Sequence, residues 1–290
     1  MKYRPVTQVI DPQMVIEGAD VLLRRSFGPS RANPLDPFLL FDNFAFNNPI
    51  EGPITGFPTH PHRGIETVTY MLEGNVRHRD SLGNIGNIGP GDVQWMTSGR
   101  GILHEEMPKR GANGLVNGFQ LWVNLPSDQK MSEPRYRSIT STMIPTVDQN
   151  GAQVSIIAGE FEDVHGPVTE IEAQPVYMDI SLDPQTTFKM EIPEGHSAMA
   201  YVFEGEGNFG VQESNPGDIV KAVQMVIFGE GNHLQVNTIN HTKVRFLLIS
   251  GAPFNEPIVP YGPFVMNTEE EIMQAYKELR DGTFVQGSKI

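Results

Sequence analysis

The chain has no cysteine in 290 residues. Disulfides, thiolate zinc sites, iron–sulfur clusters and cysteine nucleophiles are therefore excluded, and histidines and carboxylates are left to carry any chemistry. Cationic residues are scarce as well: 21 lysines and arginines stand against 35 aspartates and glutamates, a net charge of −14. Such a surface repels phosphate backbones, so direct nucleic-acid binding is not expected. Long apolar runs are missing too. No stretch reaches the roughly 20 residues of a membrane-spanning helix, and the opening Met-Lys-Tyr-Arg-Pro leads into mixed polar sequence without a signal-peptide core. The expectation is a soluble protein with no membrane partner, cytoplasmic, or nuclear if eukaryotic. Asn240-His-Thr242 matches a glycosylation acceptor as a string and is read as an ordinary turn.

Glycine (29) and proline (23) supply the punctuation instead. With Asn and Asp they break short runs rich in Val, Ile, Phe and Tyr every eight to twelve residues or so, the rhythm of β-sandwiches and barrels. Val68, Tyr70 and Leu72 alternate with Thr67, Thr69 and Met71, which predicts a strand with one buried face ending in a tight turn at Glu73-Gly74. Val93 and Trp95 alternate similarly. Phe119 to Leu125 and Val244 to Ile249 read as further strands, the second apolar enough to be buried on both faces. The one clear helix starts near Thr268, with Glu271 three residues on to complete a capping box and Ile272, Tyr276 and Leu279 as an apolar stripe. It should dock on the β core and stop at Gly282, leaving roughly the last ten residues as a tail.

The chemistry lies between residues 60 and 106. A His-x-His pair (His60, His62) opens this stretch and a His-x-Glu pair (His104, Glu106) closes it. Residues two apart on a strand share a face, so each pair can aim both donors into one interior. Three neutral imidazoles and one carboxylate suit a borderline divalent metal, iron before zinc, and a non-tetrahedral site leaves positions open for water, substrate or dioxygen.

An internal repeat runs beneath this pattern. Tyr70-Met-Leu-Glu-Gly74 followed by Pro90-Gly-Asp92 is echoed by Tyr201-Val-Phe-Glu-Gly205 followed by Pro216-Gly-Asp218. Aligning the two sets His60 opposite Glu191, His62 opposite Pro193 and Glu66 opposite Ser197, so only the first copy should bind metal. The expected division is 1–147 for a metal-binding barrel and 148–290 for a degenerate barrel plus the helix, with the polar Pro126–Asn150 region as connector.

Gly56, His60-Pro-His62, Glu66 and Gly74 resemble the first motif of the cupin superfamily. Within it the chain is most similar to the pirin family of bicupins, through His60-Pro-His-Arg-Gly-Ile-Glu-Thr-Val68, the run from Pro90 to Pro108, Leu35 to Asp42 and Gly262 to Thr268. The resemblance implies an all-β fold of two cupin-type β-barrels in tandem with a short C-terminal helix. It also implies one Fe(2+), or another divalent ion such as Mn, Ni, Zn or Cu, held by His60, His62, His104 and Glu106. Glu66 then stands behind the ligands, and Arg63, Asp42 and Gln120 are candidates to orient them or to line the pocket.

The implied activity is that of a quercetin 2,3-dioxygenase, cleaving a flavonol or similar small aromatic enol with O2 and losing carbon monoxide, with Glu106 or Glu66 taking the 3-hydroxyl proton. The alternative is a non-enzymatic, metal-dependent regulator whose partners are transcription factors or metabolic enzymes. No organic cofactor site is expected. His78, His165, His196, His233 and His241 stand alone in the sequence and are read as solvated or structural, His196 and His233 being nearest to a vestigial second site. Glu105 should face away from the ligands. Gly205-Glu-Gly-Asn-Phe-Gly210 imitates a dinucleotide fingerprint, but no helix pattern follows it and it reads as a strand junction.

Overall fold

Runs of β-branched and aromatic residues between glycine and proline breaks fold as short antiparallel strands throughout a computed structural model that describes residues 1–46, 56–212, 215–239 and 241–285. The chain forms two compact units, one from Met1–Pro12 with Thr142–Pro253, the other from Gln13–Ser141 with Phe254–Ile290. Both chain ends therefore differ from the expected division. Strand pairing explains the first: Val6–Ile10 adds to the edge strand Gln224–Phe228. Packing explains the second, because Ile258 and Val265 bury against Leu39 and Ile65. No helix among the described residues is long and apolar enough to cross a membrane.

The unit holding His60 to Glu106 is built from a seven-stranded sheet and a four-stranded sheet. In the larger sheet Ile65–Glu73 lies between Val93–Thr97 and Val116–Asn124, with Phe38–Phe46 beyond. The expected single buried face of this strand is wrong. Thr67 and Thr69 are as buried as Val68 and Tyr70, because the threonines turn into the interior of the unit rather than to water. Gln94 is buried on the neighbouring strand in the same way. The smaller sheet orders its strands as Phe57–His62, Ile102–Lys109, Asn75–Asp80 and Ile85–Ile88.

Among the described residues the other unit packs 23 buried apolar side chains into one core. Val244–Gly251 is buried along its length except at Arg245, which pairs with Asp179. The repeated Glu-Gly turns have the same backbone in both units: Gly74 and Gly205 sit at φ 74° and 70°, and Gly91 and Gly217 at 82° and 83°. A Cβ on Gly205 would lie 1.8 Å from the Lys243 carbonyl, so close approach as well as positive φ selects glycine there. Gly205 to Phe209 lies within strand Ser197–Phe209, which confirms the strand junction.

Helix Glu269–Asp281 is capped as its sequence predicts: Thr268 accepts from the Glu271 amide, Glu271 reaches back to the Thr268 amide, and Gly282 ends it in the left-handed region. Ile272 and Ala275 bury against Phe264 and Met266, with Tyr276 and Leu279 alongside. The expected tail begins later than Gly282, since Phe284 is buried in the same cluster under the Arg63 guanidinium, 4.5 Å from its ring. Residues 286–290 lie outside the described residues, as does Asn240.

Lys130 fastens this C-terminal segment. Its buried ammonium donates to the carbonyls of Gly64 (2.9 Å) and Val265 (2.8 Å) and to Asn124 Oδ1 (2.6 Å). Lys130→Met would leave three buried acceptors without a donor, so it is expected to destabilise the protein by roughly 3 kcal/mol or more. Burial also lowers the Lys130 pKa to about 7, against partial opposition from Glu271, Glu256 and Asp36. Between that value and the unfolded lysine's usual range the unfolded chain holds more protons, so stability rises with pH across the window. The stability gap between the native protein and Lys130→Met should therefore widen from pH 7 towards pH 10 in denaturant titrations. A gap independent of pH would contradict this.

Candidate metal centre

Antiparallel pairing of Phe57–His62 with Ile102–Lys109 sets His60 directly opposite His104 and His62 opposite Ile102. The three imidazoles converge, with ring centroids 4.3 Å (His60–His104), 4.9 Å (His60–His62) and 5.0 Å (His62–His104) apart, and one nitrogen of each lies within 4.8 Å of the others. Trp122 packs edge-on against His62 at 5.1 Å.

Hydrogen bonding fixes the tautomers. His60 Nδ1 donates to the Pro58 carbonyl at 2.8 Å and His62 Nδ1 to the Pro263 carbonyl at 3.1 Å. Each Nδ1 thus keeps a proton, and each Nε2 is the nitrogen turned towards the other imidazoles. Those two Nε2 atoms lie 3.1 Å apart. Burial first, and then the neighbouring His60, pushes the His62 pKa down to about 3. Burial, followed by His62, His60 and His78, carries His104 well below the usual histidine range. Both are neutral at physiological pH. His104 is buried with neither ring nitrogen hydrogen-bonded among the described residues. Two imidazole nitrogens 3.1 Å apart, beside a buried imidazole without a hydrogen-bond partner among the described residues, suit a shared cation, and this donor set fits a borderline divalent metal.

Glu106 lies within 4.8 Å of His104 and His78, in a second group that overlaps the first. Its Oε1 is 3.1 Å from the Thr69 hydroxyl and 3.2 Å from the Gln94 amide nitrogen, both able to donate to it. Thr69 Oγ1 also lies 2.8 Å from Gln120 Oε1. Its single proton serves only one acceptor at a time. His60, His62, Thr69, Glu106, Gln120 and Asp42 line a cavity of about 480 Å³ whose other walls include Leu23, Leu40, Phe44, Phe57, Val76 and Trp122.

Two expected neighbours point elsewhere. Glu66 is buried on the face of its strand opposite Thr69, where it accepts a 2.7 Å hydrogen bond from Thr97. Burial raises its pKa and the Thr97 bond only partly offsets this. It does not line the cavity. Arg63 is buried against the C-terminal helix, pairing with Glu278 and donating to the Arg100 carbonyl. It holds the turn that follows His62 and does not face the cavity. Asp42 does face it, in a two-pronged pair with Arg25 at 2.8 Å. Burial raises the Asp42 pKa despite that pair.

Arg25 and His78 were missed in the sequence. Arg25 bridges Asp42 and Glu17 at the cavity wall. His78 is fully buried, not solvated and not alone: Nε2 lies 3.1 Å from Asp80 Oδ2. Burial would raise the Asp80 pKa, but hydrogen bonds from His78, Asn84 and Leu82 outweigh it and hold the carboxyl below its ordinary value. The signal was present, since His78-x-Asp80 is itself a pair two residues apart on a strand. Glu105 turns away as expected, towards Arg77 at 3.4 Å.

In the other unit Glu191 pairs with His233 across Thr187–Glu191 and His233–Thr238, just as His60 pairs with His104. Among the described residues, no group of three metal-donating side chains forms there. His165 and His241 are exposed.

Two cupin domains, one of them bearing an inward-facing His/Glu cluster, define a bicupin. The Pirin family model matches residues 20–123, and the model of the Pirin C-terminal cupin domain matches residues 177–285. A pirin-like protein of Solanum lycopersicum is 45% identical over 266 residues, covering 92% of this chain and 88% of that protein. Human pirin is 41% identical over 266 residues, 91% of this chain and 88% of its own. A crystal structure of quercetin 2,3-dioxygenase from Acinetobacter baumannii superposes with a TM-score of 0.86 at 34% identity, covering 99% of this chain and all of that one. The chain belongs to the pirin family.

His62→Ala removes a donor outright and should weaken divalent-metal binding beyond the roughly 10–100-fold cost of losing an outer hydrogen bond. His233→Ala should leave metal uptake unchanged. Metal analysis after anaerobic loading and desalting checks both, and metal lost from His233→Ala would contradict a single centre.

Proposed function

We propose that this protein is an iron(II)-dependent dioxygenase of the quercetin 2,3-dioxygenase type, acting with O2 on a flavonol or a similar small aromatic enol. The observation that carries this reading is the placement of imidazole nitrogens and Glu106 on the wall of a largely apolar cavity of about 480 Å³, within the usual range for small-molecule sites. His60, His62 and His104 would hold the ion with Glu106 as fourth donor. Mn, Ni, Zn and Cu are the other divalent ions this donor set accepts. A bound ion supplies Lewis acidity and open coordination positions.

The chain's own residues do the rest. Leu23, Leu40, Phe44 and Trp122 take the faces of aromatic rings and exclude water, while Gln120 and Asp42 offer polar contacts to phenolic hydroxyls. Glu106 takes the proton of the 3-hydroxyl. Thr69 and Gln94 can each donate to its Oε1, and because Glu106 would also be the fourth donor, it would have to loosen from the ion to accept that proton. Glu66, on the far face of its strand, has no part in this step.

A second reading, a metal-dependent regulator binding transcription factors or metabolic enzymes, draws support from the net charge of −14, which disfavours DNA and suits protein partners. Oxygen uptake and carbon monoxide release with quercetin by anaerobically iron-loaded protein separate the two. The dioxygenase reading predicts turnover that disappears in His62→Ala together with the metal. Tightly held iron with no turnover on quercetin or on a panel of small enols and phenols would reject it in favour of the regulator.

A further inference from the structure

Each metal-facing imidazole needs an acceptor for its outward N–H, because that bond fixes which nitrogen meets the ion. His60 has the Pro58 carbonyl and His62 the Pro263 carbonyl. His104 has neither kind of partner at hydrogen-bond distance among the described residues. Beside it lies a second buried imidazole with the complementary need. His78 is fully buried, its Nδ1 has no hydrogen-bond partner among the described residues, and its ring centroid is 5.4 Å from that of His104.

The state of His78 follows from Asp80. Asp80 Oδ1 accepts from the backbone N–H groups of Leu82 (2.9 Å) and Asn84 (3.0 Å), and Oδ2 accepts from the Asn84 amide (2.9 Å). A carboxylate so surrounded by donors is acceptor-only, so His78 Nε2 carries a proton towards it, and in a neutral imidazole Nδ1 is then the acceptor. Tyr136, stacked on His78 at 4.7 Å and 21°, fixes the ring plane. The ladder sets His104 opposite Asp80 and Glu106 opposite His78, and a donor atom of His78 lies within 4.8 Å of one of His104.

We propose that Asp80, His78 and His104 form a relay, in which Asp80 fixes the His78 tautomer, His78 Nδ1 accepts the outward N–H of His104, and that bond sets the nitrogen His104 offers to the metal. Movement of the His104 ring closes the remaining gap, since site hydrogen bonds are often long until the complex forms. The inference rests on the metal reading above. His78 is here a positioning residue, acting through His104.

Three variants test it. His78→Phe keeps a flat ring against Tyr136 but has no acceptor, whereas His78→Gln restores a carbonyl acceptor. Asp80→Asn is the sharpest. Its oxygen must still accept the Leu82 and Asn84 N–H groups, which places its amide towards His78 Nε2 and turns that imidazole to the Nδ1–H tautomer, so that two donors then face each other. The relay predicts cobalt(II) affinity lowered about 10–100-fold in His78→Phe and Asp80→Asn, with an altered cobalt absorption spectrum, and recovery in His78→Gln. Unchanged affinity and spectrum in Asp80→Asn would overturn it. Nitrogen NMR of the histidine rings in metal-free protein gives a reading independent of any ion and of small losses in stability. It should show His78 protonated on Nε2 in the native protein and on Nδ1 in Asp80→Asn, and a native His78 protonated on Nδ1 would overturn the relay. Failure of the native protein to take up cobalt would sink the metal reading instead, and the NMR result would then decide the relay alone.

Discussion

The site depends on where the imidazole protons are kept. A histidine can offer a lone pair only if its other nitrogen has a settled acceptor, and here the Pro58 and Pro263 carbonyls hold the protons of His60 and His62. Pro263 belongs to the segment after residue 254, which joins this unit from the far end of the chain. The hairpin Val259–Met266, the capped helix, the Arg63–Glu278 pair and the Lys130 clamp all fix that segment. Their common effect is to keep the Pro263 carbonyl in place behind His62. Arg63 and Lys130, which never face the cavity, matter to the centre for that reason.

The two units show what such a site requires of a barrel. One fills its interior with apolar side chains from Val154 to Leu248. The other admits Thr69, Gln94 and Gln120 to its interior and keeps a cavity. Buried polar groups cost free energy unless they are hydrogen-bonded, and here the Gln94 amide can donate to Glu106 while the Thr69 hydroxyl serves either Glu106 or Gln120. The Glu-Gly and Pro-Gly-Asp turns persist in both units because they are demands of the backbone, while Glu191 and His233 occupy the ladder positions of His60 and His104 without forming a donor group.

Much of this was legible in the sequence. Period-two spacing correctly paired His60 with His62 and turned Glu105 away, the repeat marked both sets of turns, and the capping box located the helix to the residue. What failed did so for physical reasons. Thr67 and Thr69 looked solvent-facing because polarity was taken for exposure, whereas both are buried and Thr69 lines the cavity. The membership of the chain ends depends on pairing across more than 200 residues, as between Val6 and Phe228, and no local pattern carries that. His78 was passed over although the rule that grouped His60 with His62 also applies to His78 and Asp80.

A metal centre here requires that the nitrogens of His60, His62 and His104 converge on one cation. Anomalous diffraction from a crystal loaded with iron(II) or cobalt(II), recorded at the metal's absorption edge, tests it most directly. The account predicts a single strong peak within bonding distance of Nε2 of His60 and Nε2 of His62 and of one nitrogen of His104, roughly 2.0–2.2 Å from each. A peak elsewhere, or none in loaded crystals, would contradict it.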